Sequence, residues 1–157
     1  MKPRLYIETS LVSYLTAPTS SNLVTAARQT ITYQWWHTQR QHYDLFISQA
    51  VLNEAARGNA VKAQQRLDAL AAIALIRRSS EIDHLANLLL EPGPLPAKAS
   101  VDALHIAAAT IGGADFLLTW NFKHMANALI RKRVEQVCRS VGYDPPLICT
   151  PEELDKR

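Results

Sequence analysis

Along the chain, apolar runs of three to five residues alternate with longer stretches of mixed character. The first run is Leu5-Tyr6-Ile7. Leu45-Phe46-Ile47-Ser48, Ile73-Ala74-Leu75-Ile76, Phe116-Leu117-Leu118-Thr119 and Leu147-Ile148-Cys149 follow. Short apolar runs bounded by polar or turn-forming residues predict buried strands. Between them, apolar residues return at helical spacing. Leu23, Ala26, Ala27, Ile31 and Trp35 share a face, which predicts a helix over roughly 23–42 capped by Asn22, with Trp35 and Trp36 as core and rim. Val51 to Arg57 predicts a short helix closed by Gly58, and another covers 60–72. Ser79 or Ser80 caps a helix over 81–91 that Glu91-Pro92-Gly93-Pro94 breaks. A helix led in by Pro96 runs to Gly112-Gly113, and Asn121 to Gly142 holds one or two more. Strands alternating with helices predict an α/β sandwich around a mostly parallel sheet.

Composition narrows the class. The 157 residues suit a single domain over 1–157, and 48% hydrophobic with 20% charged residues is enough for a packed core. No apolar run approaches the ~18 residues of a membrane span, and the start lacks a basic lead into a long apolar stretch. The expectation is a cytoplasmic protein with no membrane segment. Cys138 and Cys149 have no metal-ligand spacing, so two free thiols are expected. A net charge of +3 and a pI near 9.0 admit nucleic-acid binding without requiring it.

The chemistry gathers where strands end. Ligands of open parallel sheets sit beyond the carboxyl ends of the strands. Glu8 follows the first strand, Ser48 the second, and Asn121 comes just after the fourth. Glu54 lies on the short helix after the second strand. Asp102 lies early on the helix that feeds the fourth, an apolar helix beyond His105. Each has a plain structural reading. Asp102 suits a helix N-terminal turn, Glu54 can pair with Arg57, and His105 reads first as a core residue and second as a supporting one. Together, three carboxylates and one amide near one sheet edge would repel without a cation. Oxygen donors without cysteine suit Mg²⁺ or Mn²⁺, which activates water and neutralises phosphate charge in phosphodiester hydrolysis. No GxSxG elbow supports a serine nucleophile, and no GxGxxG or GxxxxGK[ST] loop supports nucleotide binding.

YIETS near the start, ISQAVLNEAARG in the middle, DALHIAAA and FLLTWNFKHMAN together resemble PIN domains, in particular VapC-type ribonuclease toxins of type II toxin–antitoxin systems. The resemblance spans roughly residues 4–150. It implies an α/β/α sandwich with a mostly parallel sheet of four or five strands. It implies an Mg²⁺- or Mn²⁺-dependent endoribonuclease. Glu8, Glu54 and Asp102 stand where its acids are expected to hold the metal, and Asn121 where a fourth acid often stands. Thr9, Ser10 and Thr119 are near enough to orient water, metal or phosphate. The chain departs from the pattern twice, with Glu at position 8 instead of the usual Asp and an amide at position 121.

Arg131-Lys132-Arg133, with Arg139, Lys123, Arg57, Lys62 and Arg66, suggests an RNA path, against the plainer reading of a solvated helix face. The resemblance further implies a small antitoxin covering the cleft and a homodimer. The aromatic end of Asn22 to Tyr43 makes that segment the expected contact surface. Two other readings stand beside the toxin. One is a catalytically weak PIN-like RNA-binding or regulatory module, and the other is an RNA-processing nuclease without an antitoxin.

Overall fold

The computed structural model describes residues 1–155. Five strands pair side by side, all parallel: β1 (Arg4–Ile7), β2 (Asp44–Ile47), β3 (Ala74–Leu75), β4 (Phe116–Leu118) and β5 (Leu147–Cys149), in the order β3-β2-β1-β4-β5. β1 takes the centre because both of its faces are apolar. Leu5, Tyr6 and Ile7 are fully buried, and Tyr6 lies opposite Phe46 on one side and Leu117 on the other. A near-continuous apolar run is what a strand covered on both faces requires. β3, at the edge, keeps only two exposed residues in the ladder.

From β1 the chain moves outward to β2 and β3, then returns to β4 and β5 on the other side. The order reverses between β1 and β4, which makes that edge the switch point. Right-handed crossovers in opposite directions place their helices on opposite faces. Helices α1 (Thr9–Thr16), α2 (Leu23–Thr38), α3 (Gln49–Ala55) and α4 (Ala60–Leu70) belong to the first set, and α1 packs against the other three. Helices α5 (Ser80–Leu89), α6 (Ser100–Ile111) and α7 (Ala128–Ser140) belong to the second, and α5 packs on α6 and α7. The α/β/α sandwich expected from the sequence is therefore the fold observed.

Several boundaries differ from the sequence expectation. α1 was not foreseen. Thr9, Ser10, Val12, Ser13 and Thr16 are mediocre helix formers, and the cap is a glutamate instead of Ser, Thr, Asp or Asn. What holds α1 is tertiary: Leu11 and Val12 are fully buried. α2 stops at Thr38 and passes into a 3₁₀ turn over Arg40–His42. α6 begins at Ser100, because the Ala99 N–H closes a turn onto the Pro96 carbonyl first. The 121–142 segment holds one helix, α7, capped by Asn127. Trp35 and Trp36 are both buried. The two cysteines are free and buried. Among the described residues no helix is long and apolar enough to cross a membrane.

α6 is buried almost all round, from His105 to Thr110. It ends at Gly112, where a Cβ would stand 2.5 Å from the Phe46 ring and 2.8 Å from Ile76 Cδ1. Alanine normally stabilises a helix relative to glycine. Here the clash reverses the sign: Gly112→Ala should lower stability by about 1–3 kcal/mol, read as a shift in the denaturant midpoint at constant slope.

Candidate functional site

Glu8 leaves the sheet as β1 ends, its N–H still bonded to the Leu118 carbonyl of β4 at 3.1 Å. Its extended backbone makes it the N-cap of α1. One carboxylate oxygen, Oε2, accepts the Ser10 N–H at 3.0 Å, the Thr119 hydroxyl at 2.8 Å and the Ser10 hydroxyl. The two hydroxyls accept in turn from the backbone after β4: Ser10 Oγ from the Trp120 N–H at 2.8 Å, Thr119 Oγ1 from the Asn121 N–H at 2.9 Å. Glu8 is only 4% exposed. A carboxylate so buried needs such donors, since an unmatched one costs several kcal/mol or more.

Buried Val51 and Ala55 anchor α3 and leave Glu54 beside them at the sheet edge. Glu54 Oε1 accepts the Thr9 hydroxyl at 2.7 Å and lies 2.5 Å from His105 Nε2. Hydrogen-bond contact with Thr9 and His105 replaces the surface pairing with Arg57 that the local sequence allows. His105, fully buried on α6, places Nδ1 2.8 Å from the Tyr6 hydroxyl, which is 2.7 Å from Ser48 Oγ. That bond explains why Ser48, the N-cap of α3, makes no side-chain cap. The imidazole is more than a core filler. It links β1, the end of β2, α3 and α6.

Ligand atoms of Glu8, Glu54 and His105 all lie within 4.8 Å of one another. Glu8 Oε1 and Glu54 Oε2 have no protein hydrogen bond among the described residues, so each carboxylate keeps one oxygen free. Donors at about 2.1 Å from one ion stand no more than about 4.2 Å apart, so small side-chain movements bring this group onto a hard cation. The free carboxylate oxygens suit such an ion, while His105, with both ring nitrogens engaged, holds Glu54 in place.

Asp102, one turn before His105 on α6, is held differently. Its Oδ1 accepts the Asn121 amide at 3.1 Å, and its Oδ2 lies 2.7 Å from His124 Nδ1. The His124 N–H bonds Asn121 Oδ1 at 3.0 Å, closing a three-residue cluster. The sequence expectation placed Asp102 beside Glu8 and Glu54. The structure brings it to Asn121 and His124, next to the closer group of Glu8, Glu54 and His105. His124 was missed, although it stands one turn after Asn121 within the TWNFKHMAN segment.

No family model matches the sequence, and no curated protein matches it. Among solved structures, the chain superposes on a chain of the crystal structure of VapBC2 from Rickettsia felis bound to a DNA fragment from their promoter. The TM-score is 0.59 at 18% identity, covering 93% of this chain and 97% of that one. The fold is PIN-like. In this PIN-like frame the switch point collects Glu8 from the junction of β1 and α1, Glu54 from α3, Asp102 and His105 from α6 and Asn121 from the loop after β4.

The basic residues at 131–133 serve the protein itself in part. Arg131 donates to the Ile148 carbonyl and to Glu153, both at 3.3 Å, and Arg133 donates to the Gly93 carbonyl at 3.3 Å. Lys132 is exposed. Arg139 pairs with Glu135 and Asp144.

Burial pushes the Glu54 carboxyl up, but hydrogen bonds and charge from His105, with Thr9 and Arg57, pull it net below its ordinary value. Burial pushes His105 down, but the bond to Glu54 and the fields of Glu8, Glu54 and Asp102 carry it net above its ordinary value. The depressed Glu54 adds stability above the ordinary carboxyl pKa of about 4.3 and loses it as pH falls through its folded value. The raised His105 adds stability below about 6.5 and loses it as pH rises through its folded value. The pair therefore stabilises most between these limits. In metal-free buffer, urea unfolding should show wild-type stability falling as pH rises above about 6.5. Glu54→Gln should flatten that decline, as proton uptake by amide-paired His105 is no longer favoured.

Proposed function

We propose that the protein is a divalent-metal-dependent endoribonuclease that hydrolyses RNA phosphodiester bonds and acts as the toxin of a type II toxin–antitoxin pair. The observation that carries this reading is the convergence of the Glu8, Glu54 and His105 ligand atoms within 4.8 Å at the switch point of a PIN-like sheet. The VapBC2 complex, whose chain shares the fold, supports a small protein partner for this chain as well.

In this reading Glu8 and Glu54 hold Mg²⁺ or Mn²⁺ through their free oxygens, with Asp102 completing the acidic set. A bound ion of this kind lowers the pKa of water and neutralises charge on a phosphate. The chain's own residues prepare the place. Ser10 and Thr119 fix one oxygen of Glu8, so the other is presented in a set orientation. Thr9 and His105 do the same for Glu54. Asn121 and His124 orient Asp102. Orienting partners of this type are worth about 10–100-fold in metal affinity or activity.

One observation favours the alternative of a weak, RNA-binding module. Both oxygens of Asp102 already have protein partners, and the amide of Asn121 adds no charge. That reading predicts RNA binding without cleavage in Mn²⁺.

Wild-type protein should cut RNA in Mg²⁺ or Mn²⁺ and stop in EDTA. Asp102→Ala and Glu54→Gln should each lose about 10²-fold or more in rate, with circular dichroism unchanged. Calorimetry should show Mn²⁺ binding weakened at least about 10-fold by Glu8→Gln. Cleavage that survives EDTA, or an Asp102→Ala variant as fast as wild type, would rule the reading out. Relief of growth arrest by the product of a neighbouring small reading frame separates a toxin from a nuclease without an antitoxin.

A further inference from the structure

The loop after β4 carries more than Asn121. Trp120 is buried, and its indole N–H donates to Thr32 Oγ1 of α2 at 2.7 Å. This fixes the loop against α2. One turn earlier on α2, the Arg28 guanidinium lies 4.5 Å over the Phe122 ring and 5.7 Å from the Trp120 ring centre. Phe122 is 40% exposed. It is the residue after Asn121, whose amide touches Asp102, so its Cα is about 3.8 Å from that of a site residue.

Arg28 is held by rings and not by a carboxylate. Arg4, Arg78, Arg131 and Arg139 each have a carboxylate partner. Arg28 has none among the described residues. An aromatic face holds a cation in place without cancelling its charge. A polyanion approaching Glu8, Glu54 and Asp102 meets repulsion, and a cation fixed on the ring that follows Asn121 offsets it. A planar guanidinium fork matches a phosphate bidentately. Aromatic rings and guanidinium planes accept an unstacked base.

We propose that Arg28 and Phe122 form a subsite that grips single-stranded RNA beside the acidic cluster, Arg28 on a backbone phosphate and the Arg28–Phe122 stack under the flanking base. The inference rests on the nuclease reading and assigns it a substrate-positioning pair. It moves the principal RNA contact from Arg131-Lys132-Arg133 to α2 and the loop after β4.

A second pair of the same chemistry provides the control. Arg40 lies 4.6 Å over Trp36. It sits in the turn that leads into β2, at the amino ends of the strands and away from the switch point.

The test is fluorescence anisotropy with a fluorescein-labelled single-stranded oligoribonucleotide, in EDTA, across a salt series, with cleavage in Mn²⁺ followed separately. Arg28→Gln should weaken binding about 10-fold and reduce the slope of log affinity against log salt by about 0.7–1. Arg28→Lys should keep the slope and recover part of the affinity. Phe122→Leu should weaken binding about 5–100-fold with the slope unchanged. Arg40→Gln should match wild type, and thermal unfolding should show all variants folded. A structural role alone would not move the salt slope. If wild type binds and cuts RNA and Arg28→Gln equals it in affinity and slope, the subsite is wrong and the nuclease reading stands. If Arg28→Gln impairs only binding of a partner protein, the surface is a protein contact and the proposal fails. If wild type neither binds nor cuts RNA, the nuclease reading falls and the subsite falls with it.

Discussion

A carboxylate removed from water must find donors, and Glu8 finds them both two residues on and 111 residues on. The Ser10 N–H and hydroxyl come from the first turn of α1, and the Thr119 hydroxyl comes from the end of β4. Those same hydroxyls accept the N–H groups of Trp120 and Asn121. One side chain therefore caps a helix, joins the two strands at the switch point and sets the path of the loop that carries Asn121, Phe122 and His124. Remove the carboxylate, and the donors it satisfies are left without a common acceptor, which costs more than a surface hydrogen bond would.

The second constraint is charge. Glu8, Glu54 and Asp102 stand at one sheet edge, and like charges in a low dielectric repel. His105 answers part of this from the core. It is buried, raised in pKa by its acidic neighbours, and braced by Tyr6 and Ser48. Burial pushes the Tyr6 hydroxyl itself far above its ordinary range, so Tyr6 stays a neutral hydrogen-bond partner. The free oxygens of Glu8 and Glu54 leave room for a further cation. Imidazole and divalent ion would then share the neutralisation of one acidic cluster. The cation–aromatic pair of Arg28 and Phe122 extends the same logic outward, to where a phosphate chain would pass.

Much of this was legible in residue order, for identifiable reasons. β1, β2 and β4 are short apolar runs because both faces of a parallel strand are covered, and the pattern shows it directly. The burial of α6 follows from an apolar surface all round the helix. Glu8 stood out because it interrupts an apolar strand. α1 was invisible, because its hydroxyl-rich sequence has weak propensity and its stability comes from Leu11 and Val12 in the core. His124 was passed over because nothing local marks a lone histidine on a loop. Its role is given by Asp102, 22 residues earlier.

Hydrophobic periodicity determined the α/β sandwich, and the polar residues at strand ends marked the candidate acids, because both depend on short-range spacing along the chain. Only the tertiary structure decided which side chains share a hydrogen bond. It joined His105 to Glu54 across 51 residues, Thr119 to Glu8 across 111, and turned Asp102 towards Asn121 and His124. Those pairings depend on sheet order and on the angle at which each helix packs. No spacing along the chain encodes them, because donors and acceptors meet there only after the crossovers have placed the strand ends side by side.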